Sequence, residues 1–314
     1  MSAIIRAGLR WAWQQVGKSD QERLAQMPIP ESIEHSEHVY LEDGNPMHCL
    51  AVYAPRDAEG LLPLVVSIHG GGWMYGEAAL NAPFCCFFAE EGYAAMDMSY
   101  RLLPETDLKG MVQDVFASLH WMEKNGAAHH CDKKRWLMTG DSAGGQLCGL
   151  IACIQNSPAL QKQYGIEPLE NAPAGIVINH GVCSIAHFGA FGGTLGKWVD
   201  REMHVMMFGK HFSKNPLWHS ASFEDTCKGL RLPPVLVISS IGDKLHAQSK
   251  KLISTLRANG IAYRDFLWEK PEDERLGHVF NVSYPNWEES KATNGEILSF
   301  FAACLEAADG SLNG

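Results

Sequence analysis

The most constraining feature of this chain is residues 140–144, Gly-Asp-Ser-Ala-Gly, which lie between an apolar run at 135–139 and an apolar stretch at 145–154. The first run predicts a buried strand and the second a helix. The glycines permit a sharp turn that exposes the Ser142 hydroxyl above the sheet, and the helix start favours negative charge. This is a nucleophile's position, although the pentapeptide alone is equally compatible with a glycine-rich turn and an unrelated serine.

Three consecutive glycines, residues 70–72, follow an apolar run at 62–68 that predicts a central strand, and they lie between His69 and Trp73. Backbone N–H groups without side chains can approach a cavity closely, and in acyl transfer such donors stabilise the oxyanion by roughly 3–4 kcal/mol each. A flexible loop or a phosphate-binding turn is the alternative. The segment lacks both the Gly-x-Gly-x-x-Gly of a dinucleotide site and the Gly-Lys-Ser/Thr of a P-loop.

A serine nucleophile needs a base, and in this strand–turn–helix context an acid and then a histidine should follow it in the chain. Asp243 comes just after an apolar run at 234–240 that predicts a strand. A predicted helix at 245–259 and a predicted strand at 261–268 then lead to His278. The order Ser142, Asp243, His278 therefore predicts a catalytic triad.

Competing partners fit this order less well. His246 lies too near Asp243 to come from the next loop, and His219 precedes the acid. Among the other acids, Asp265 falls inside a predicted strand. Glu269 and Asp273 lie too close to His278 to leave room for a strand between acid and histidine.

Three segments together resemble the hormone-sensitive-lipase-like esterases of the α/β-hydrolase fold: 69–73 (His-Gly-Gly-Gly-Trp), 100–105 (Tyr-Arg-Leu-Leu-Pro-Glu) and 140–145 (Gly-Asp-Ser-Ala-Gly-Gly). The resemblance covers about residues 60–282. It implies an oxyanion hole formed by the amides of Gly71, Gly72 and Ala143. It also implies that His69 and residues 101–105 support the site, and that short-chain esters are hydrolysed without a cofactor.

The chain departs from the family pattern at two places. Residues 243–247 read Asp-Lys-Leu-His-Ala, where the family often has Asp-Pro-Leu-x-Asp, and Leu103 replaces an alanine. Neither change removes a catalytic group, but the first puts the local geometry of the acid's loop in question.

Strands and helices are predicted to alternate along the rest of the chain, which indicates the α/β class: a mostly parallel sheet flanked by helices. An antiparallel hairpin comes first, at 37–42 and 47–53. Helices are predicted at 82–91 and 107–125, and strands at 93–100 and 175–182.

A long insertion interrupts this alternation, and we expect it to form a cap over the site. The prediction is one α/β-hydrolase domain over residues 1–314, with a helical cap from about 184–225 and, by the resemblance, about 1–35. The apolar residues of the insertion could line an acyl or alcohol pocket, but each is more simply explained as the cap's own core: Phe188, Phe191, Trp198, Met203, Met206, Met207, Phe208, Phe212 and Trp218.

Charge and cysteine usage limit the kinds of partner and ligand that we expect for this chain. The formal net charge of −10 argues against nucleic acid and against an anionic membrane. The nine cysteines mostly lie in apolar runs, as buried thiols do, and no metal-ligand spacing is present; the neighbours at 129–131, His-His-Cys, would rarely converge on one ion.

The N-terminal residues 1–16 predict an amphipathic helix, interrupted by Arg6 and Arg10, with neither a signal peptide nor a membrane span. Such a helix can touch lipid, but packing on its own protein is the favoured expectation. We therefore expect a cytoplasmic protein.

These observations favour an esterase that acts on a small-molecule ester. An amidase, arylformamidase or peptidase would share the machinery, and a non-catalytic small-molecule receptor is the less favoured alternative because His278 is present. The sequence leaves a homodimer open.

Overall fold

The computed structural model describes residues 2–186 and 193–312. The strands in these residues are β1 (Ile33–Val39), β2 (Cys49–Pro55), β3 (Leu62–Ile68), β4 (Ala94–Met98), β5 (Cys131–Asp141), β6 (Gly175–Asn179), β7 (Val235–Ser240) and β8 (Tyr263–Trp268). The α-helices are α1 (Ser2–Ala25), α2 (Ala82–Glu90), α3 (Leu108–Asn125), α4 (Ala143–Gln155), α5 (Pro158–Tyr164), α6 (Gly193–Phe208), α7 (Phe223–Thr226), α8 (His246–Ala258), α9 (Phe280–Ser283) and α10 (Glu288–Leu312).

The eight strands form one sheet in the order β1-β2-β4-β3-β5-β6-β7-β8. The pairs β1–β2 and β2–β4 are antiparallel, and every pair from β4 to β8 is parallel. The predicted mostly parallel sheet with an antiparallel hairpin at its start is therefore confirmed. Because β3, β5, β6 and β7 run the same way, the loops after them meet at one edge of the sheet, where ligands bind in open α/β folds.

Helices cover both faces of the sheet, as the alternation predicted. Side chains of α3, α4 and α8 join one buried cluster, and those of α2 and α10 join the other. This explains why β3 reads as an almost continuous apolar run: Leu64 and Val66 face one cluster while Val65 faces the other.

Some boundaries differ from the sequence prediction. The strand predicted at 135–139 begins at Cys131, because β5 also pairs with the start of β3 across a register shift at Pro63. The N-terminal helix continues to Ala25 rather than ending near residue 16. Asp107 is the N-cap of α3, where its side chain accepts a hydrogen bond from the Gly110 amide.

The cysteines lie as predicted. All nine thiols are free, eight of them are buried, and Cys49 is half-buried. Among the described residues, no helix is both long and apolar enough to cross a membrane. Of the predicted cap residues, Phe188 and Phe191 lie outside the described part of the chain.

Candidate active site

Ser142 occupies a sharp turn between β5 and α4, with φ 53° and ψ −117°. Glycines make this turn sterically feasible, since a Cβ at Gly144 would lie 1.9 Å from the Ile68 carbonyl oxygen. A Cβ at Gly140 would lie 2.2 Å from the Gly144 oxygen. The glycine positions of the pentapeptide are therefore set by backbone crowding, which forces the serine into a strained conformation typical of functional sites.

Backbone hydrogen bonds hold the strained turn. The Ser142 amide donates to the Asn179 carbonyl at 3.1 Å, and the Ser142 carbonyl accepts from the amides of Gly145 (3.1 Å) and Val182 (3.0 Å). The loop after β6 thus braces the turn after β5, and the Ser142 side chain is left facing the cavity.

The fold brings the three predicted triad residues together. Nε2 of His278 lies 2.8 Å from the Ser142 hydroxyl oxygen, and Nδ1 of the same ring lies 2.9 Å from Oδ1 of Asp243. Ser142 and Asp243 follow β5 and β7, and His278 lies on the loop after β8, so all three reach the same edge of the sheet. This chain of contacts has the geometry needed to pass a proton from hydroxyl to imidazole.

Asp243 is suited to remain ionised. Burial alone would raise its pKa, but the hydrogen bond to His278, the charge of His278 and the Leu245 amide together hold the pKa below the usual value. The Leu245 amide donates to Oδ1 at 2.9 Å. The Asp-Lys-Leu sequence, which departs from the family pattern, therefore still turns a backbone donor toward the carboxylate.

A second histidine, His180, lies close behind the triad. Its ring meets that of His278 edge to face, with centroids 6.2 Å apart, and Nδ1 lies 2.9 Å from Oδ1 of Asn179. The side chain is buried and the backbone has φ 51°. Burial lowers the pKa of His180 to about 3, so the ring is neutral beside His278.

The glycines after β3 form a loop that lines the cavity. Gly71 and Gly72 have φ of 100° and 58° and line the cavity beside Ser142. Within residues 2–186 and 193–312, the amides of Gly71, Gly72 and Ala143 donate to no protein acceptor. Unpaired backbone N–H groups beside a serine are chemically suited to hold an oxyanion.

His69 and Tyr100 support this loop from below. Their rings stack at 4.4 Å, the Tyr100 hydroxyl donates to the His69 carbonyl at 2.8 Å, and Nδ1 of His69 donates to the Gly70 carbonyl at 2.8 Å. Burial lowers the pKa of His69 to about 4, so it acts as a neutral support. Arg101 lies further out and donates to both carboxylate oxygens of Asp114.

Asp141 links the nucleophile turn to the glycine loop. Oδ2 accepts the Gly70 amide at 3.1 Å, and Oδ1 accepts the Asn81 side-chain amide at 2.8 Å. Burial raises the pKa of Asp141 to about 6, although these hydrogen bonds and the charge of His278 oppose the rise. Burial also raises the pKa of neighbouring Asp97.

A cavity of about 490 Å³ opens in front of Ser142 and is lined mostly by apolar side chains. Its far wall is α1, whose Trp13 ring lies against the glycine loop: a Cβ at Gly72 would be 2.5 Å from the indole. Trp13 also stacks on Tyr75 with ring centroids 5.6 Å apart. Val199 and Met203 of α6 complete that side.

Polar contacts fasten α1 over the cavity. Near its start, Arg6 contacts Glu202 of α6 at 2.6 Å. Further along, the Tyr75 hydroxyl donates to Asp20 at 3.1 Å, and Arg23 pairs with Asp20 and donates to the Ser283 carbonyl at 3.0 Å. The end of α1 therefore joins the glycine loop to the segment that follows His278.

Sequence reasoning did not identify several residues around the cavity. Asp141 lies inside the recognised motif and Trp13 inside the predicted helix, yet neither was assigned a place in the site. Tyr75 follows the predicted glycine loop and His180 falls inside the strand predicted at 175–182, but no spacing predicts that either side chain turns toward the site. Among the described residues, no cluster of three or more histidine, cysteine, aspartate or glutamate side chains could hold a metal ion.

The chain is similar to known esterases. Residues 50–256 match the BD-FAE family. Esterase B from Lactobacillus rhamnosis is 33% identical, superposes with a TM-score of 0.93, and is matched over 99% of this chain and 98% of its own. An esterase from Pyrobaculum calidifontis, 22% identical, shares the fold with a TM-score of 0.71 over 96% of this chain and 93% of its own.

Among curated proteins, carboxylesterase NlhH from Mycobacterium tuberculosis is 35% identical over 102 residues, which is 32% of each chain. The match thus spans about a third of the length of that relative. The chain belongs to the BD-FAE family and, as its motifs predicted, is an α/β-hydrolase of the carboxylesterase type, akin to the hormone-sensitive-lipase-like esterases.

Proposed function

We propose that this protein hydrolyses small carboxylic esters with short acyl groups, with Ser142 as nucleophile, His278 as general base and acid, and Asp243 as the group that orients the imidazole. The observation that carries the proposal is the pair of contacts at 2.8 and 2.9 Å that link the three side chains beside an apolar cavity.

The first half of the reaction forms an acyl-enzyme. The Ser142 oxygen attacks the ester carbonyl carbon while Nε2 of His278 takes the hydroxyl proton. Asp243, ionised because its pKa is held low, stabilises the imidazolium and fixes the tautomer with the proton on Nδ1. His278 then gives its new proton to the departing alcohol oxygen.

The second half releases the acid. Water loses a proton to Nε2 of His278 and attacks the acyl carbon, and the same proton returns to the Ser142 oxygen as it leaves. In both halves the negative carbonyl oxygen would lie among the amides of Gly71, Gly72 and Ala143. Those amides suit the role because they have no protein acceptor among the described residues.

We also propose that residues 1–35 and 184–225 form a cap on a single hydrolase domain. The support is that α1 and α6 pack on each other through Arg6 and Glu202, and that both line the cavity in front of Ser142. A cap of this kind excludes water from part of the site and shapes the space for the acyl or alcohol group.

The size and lining of the cavity favour short apolar acyl groups. Its volume of about 490 Å³ lies in the ordinary range for small-molecule pockets, roughly 300–1,000 Å³. Esterase B from Lactobacillus rhamnosis has been solved with a C4-C4 tributyrin phosphonate inhibitor and with a C6-C4 inhibitor, and these short chains support the same substrate class for this protein.

The test is a series of p-nitrophenyl esters from acetate to dodecanoate. We expect kcat/KM to peak between acetyl and hexanoyl and to fall at least about tenfold at dodecanoyl, because longer chains do not fit the enclosed volume. A peak at dodecanoyl would contradict the proposed substrate class.

A pair of variants on α6 sharpens this test. Met203 lines the cavity, whereas Met206, three residues further along the same helix, does not. Met203→Ala should move the optimum toward longer chains, while Met206→Ala should leave the profile unchanged. Equal shifts in both variants would show that the acyl group lies elsewhere.

A further inference from the structure

One part of the cavity wall carries a pair of opposite charges. Most lining residues are apolar, but near the end of α1 the wall includes Asp20 and Arg23, with Tyr75 also lining the cavity. The Asp20 and Arg23 side chains are only 20% and 11% exposed. Withdrawing an ion pair from water is costly, and the few polar groups of a small-molecule pocket usually orient its ligand. The pair is therefore a candidate for contact with the substrate.

Hydrogen bonds hold the pair between two loops of the site. The Tyr75 hydroxyl donates to Oδ2 of Asp20 at 3.1 Å, and Nη1 of Arg23 donates to the Ser283 carbonyl at 3.0 Å. The Tyr75 amide in turn donates to the Gly71 carbonyl at 3.0 Å. Asp20 thus lies one tyrosine side chain away from the glycine loop. A polar group a few bonds from the ester carbonyl could therefore reach the pair.

Arg23 has more donors than its protein partners use, since a guanidinium carries five N–H groups. Nε donates to Oδ1 of Asp20 at 3.1 Å, Nη2 lies 3.0 Å from the same oxygen, and Nη1 is bound by Ser283. At least two N–H groups, one on each terminal nitrogen, thus have no acceptor within the described chain. Oδ2 of Asp20 accepts only the Tyr75 hydroxyl there, which leaves a lone pair of the carboxylate unused.

We infer that Asp20 and Arg23 bind a hydroxyl group of the ester, so that the preferred substrates are hydroxylated short-chain esters rather than plain alkyl esters. A hydroxyl can accept from Arg23 and donate to Asp20 at once. The pair is neutral as a whole, so a carboxylate on the substrate would meet the charge of Asp20, and an ammonium the charge of Arg23. The inference rests on the proposed function, which supplies the ester.

Lys244 is the lining residue that favours a different substrate. It is exposed and directly follows Asp243 on the loop after β7, whereas Arg23 is largely buried at the end of α1. A cation at that position would attract an ester that carries a carboxylate. An anionic ester is therefore one arm of the test.

The experiment compares matched esters by titration of the acid that is released. The neutral pairs are propyl butyrate with glycerol monobutyrate, and ethyl butyrate with ethyl β-hydroxybutyrate; monoethyl succinate is the anionic ester. Asp20→Leu combined with Arg23→Met replaces the ion pair by apolar side chains and leaves no lone charge in the wall. We expect this double variant to lower the ratio of kcat/KM, hydroxylated over plain, by roughly tenfold in at least one pair.

The matched control is another ion pair that fastens α1. Arg6 and Glu202 lie 2.6 Å apart, and neither is among the residues that line the cavity in the described chain. Arg6→Met combined with Glu202→Leu should leave the ratio unchanged, whatever it does to the attachment of α1. Equal falls in the two double variants would overturn the inference, because Asp20 and Arg23 would then only attach the helix. An unchanged ratio in the test variant would overturn it as well.

A single exchange tests the charge argument, and it also tests the site if the double variant does not fold. Asp20→Asn keeps the size of the side chain but leaves the wall cationic. It should raise kcat/KM for monoethyl succinate relative to ethyl β-hydroxybutyrate by roughly fivefold or more. No change in this ratio would contradict the inference. A wild-type preference for monoethyl succinate over both hydroxylated esters would assign the site to a carboxylate instead.

Binding to the Ser142→Ala variant separates this inference from the proposed function. By calorimetry, the Asp20–Arg23 double exchange should weaken binding of glycerol monobutyrate roughly tenfold more than binding of propyl butyrate. Turnover that survives Ser142→Ala, or no hydrolysis of any ester by the wild type, overturns the proposed function and leaves this binding comparison intact. Equal effects of the exchange on the two esters overturn the hydroxyl site alone.

Discussion

Two regions around Ser142 are built in opposite ways. The frame is the turn at residues 140–144 between β5 and α4, and the cover is helix α1. In the frame, Gly140 and Gly144 have no room for a Cβ because backbone atoms lie about 2 Å from where it would be. In α1, only Leu9 of 24 residues is buried, and a Cβ at Gly8 would meet nothing within 4 Å. The frame is fixed by its backbone, whereas the cover is fixed by a few side chains.

The precise catalytic distances and the adaptable wall of the cavity therefore belong to different parts of the molecule. Catalytic distances depend on the crowded turn after β5, which one added methyl group would displace. The cover is attached through contacts such as Arg6–Glu202 and Tyr75–Asp20, and such sparsely packed elements open more readily than a core. The cover can therefore change shape for different substrates without disturbing the nucleophile.

The largest effect should come from removing the Ser142 hydroxyl oxygen, which is the proposed nucleophile. Ser142→Ala should reduce turnover of a p-nitrophenyl acetate or butyrate ester by roughly four to six orders of magnitude, because the other groups cannot replace the nucleophile. Ser254→Ala, on the exposed side of α8, serves as the control and should be unaffected. Near-normal turnover in the first variant would show that the nucleophile lies elsewhere.

The next prediction compares how one added methyl group changes the free energy of unfolding in the two regions. Gly144→Ala should lower the free energy of unfolding by about 3 kcal/mol or more, because its Cβ would overlap the Ile68 carbonyl. Gly8→Ala should raise the free energy of unfolding by roughly 0.5–1 kcal/mol, since alanine is favoured in an open helix position. Urea unfolding measures both, and similar signs would contradict the comparison.

A pH-dependent effect of about the same size should come from Asp141. Its folded pKa of about 6 lies above the usual 3.8, so the folded state holds the proton more tightly between these values. Stability should therefore fall as pH rises through that window and level off above pH 6. Relative to Asp141→Asn, the wild type should lose roughly 2.4 kcal/mol between pH 4 and pH 7.

The Asp141 measurement needs an exposed carboxylate for comparison. Asp57→Asn, on the surface after β2, should show no such difference from the wild type between the two pH values. A wild-type stability that rises relative to Asp141→Asn over this range would mean that the Asp141 carboxylate is better accommodated in its ionised form than its burial suggests.

The smallest effect should come from the cover. Tyr75→Phe removes the hydrogen bond to Asp20, worth about 1 kcal/mol, and should leave kcat within roughly threefold. Hydrogen exchange should become faster in α1 but not in α4. Tyr263→Phe removes a comparable bond, between Arg257 of α8 and the first residue of β8, and should leave α1 exchange unchanged. Faster exchange in α4 would show that cover and frame are one unit.

The sequence predicted the frame better than the cover for a physical reason. Parallel strands end at one edge of the sheet. The order of the predicted strands was therefore enough to predict that the loops carrying Ser142, Asp243 and His278 lie close together. The path of α1 depends on side-chain contacts far apart in the chain. Residues 17–20, Gly-Lys-Ser-Asp, look like a helix end, yet the helix continues because Tyr75 and Ser283 hold Asp20 and Arg23.

The contact of Trp13 with Gly72 places an indole directly beside an amide suited to hold the reacting oxygen. Any ligand that puts negative charge there must change the electronic surroundings of that ring. In protein labelled with fluorotryptophan, the resonance of Trp13, one of nine tryptophans, should therefore shift when a phosphonate occupies the oxyanion hole. Trp13, which lies where α1 meets the glycine loop, can therefore report by its fluorine signal whether the site is occupied.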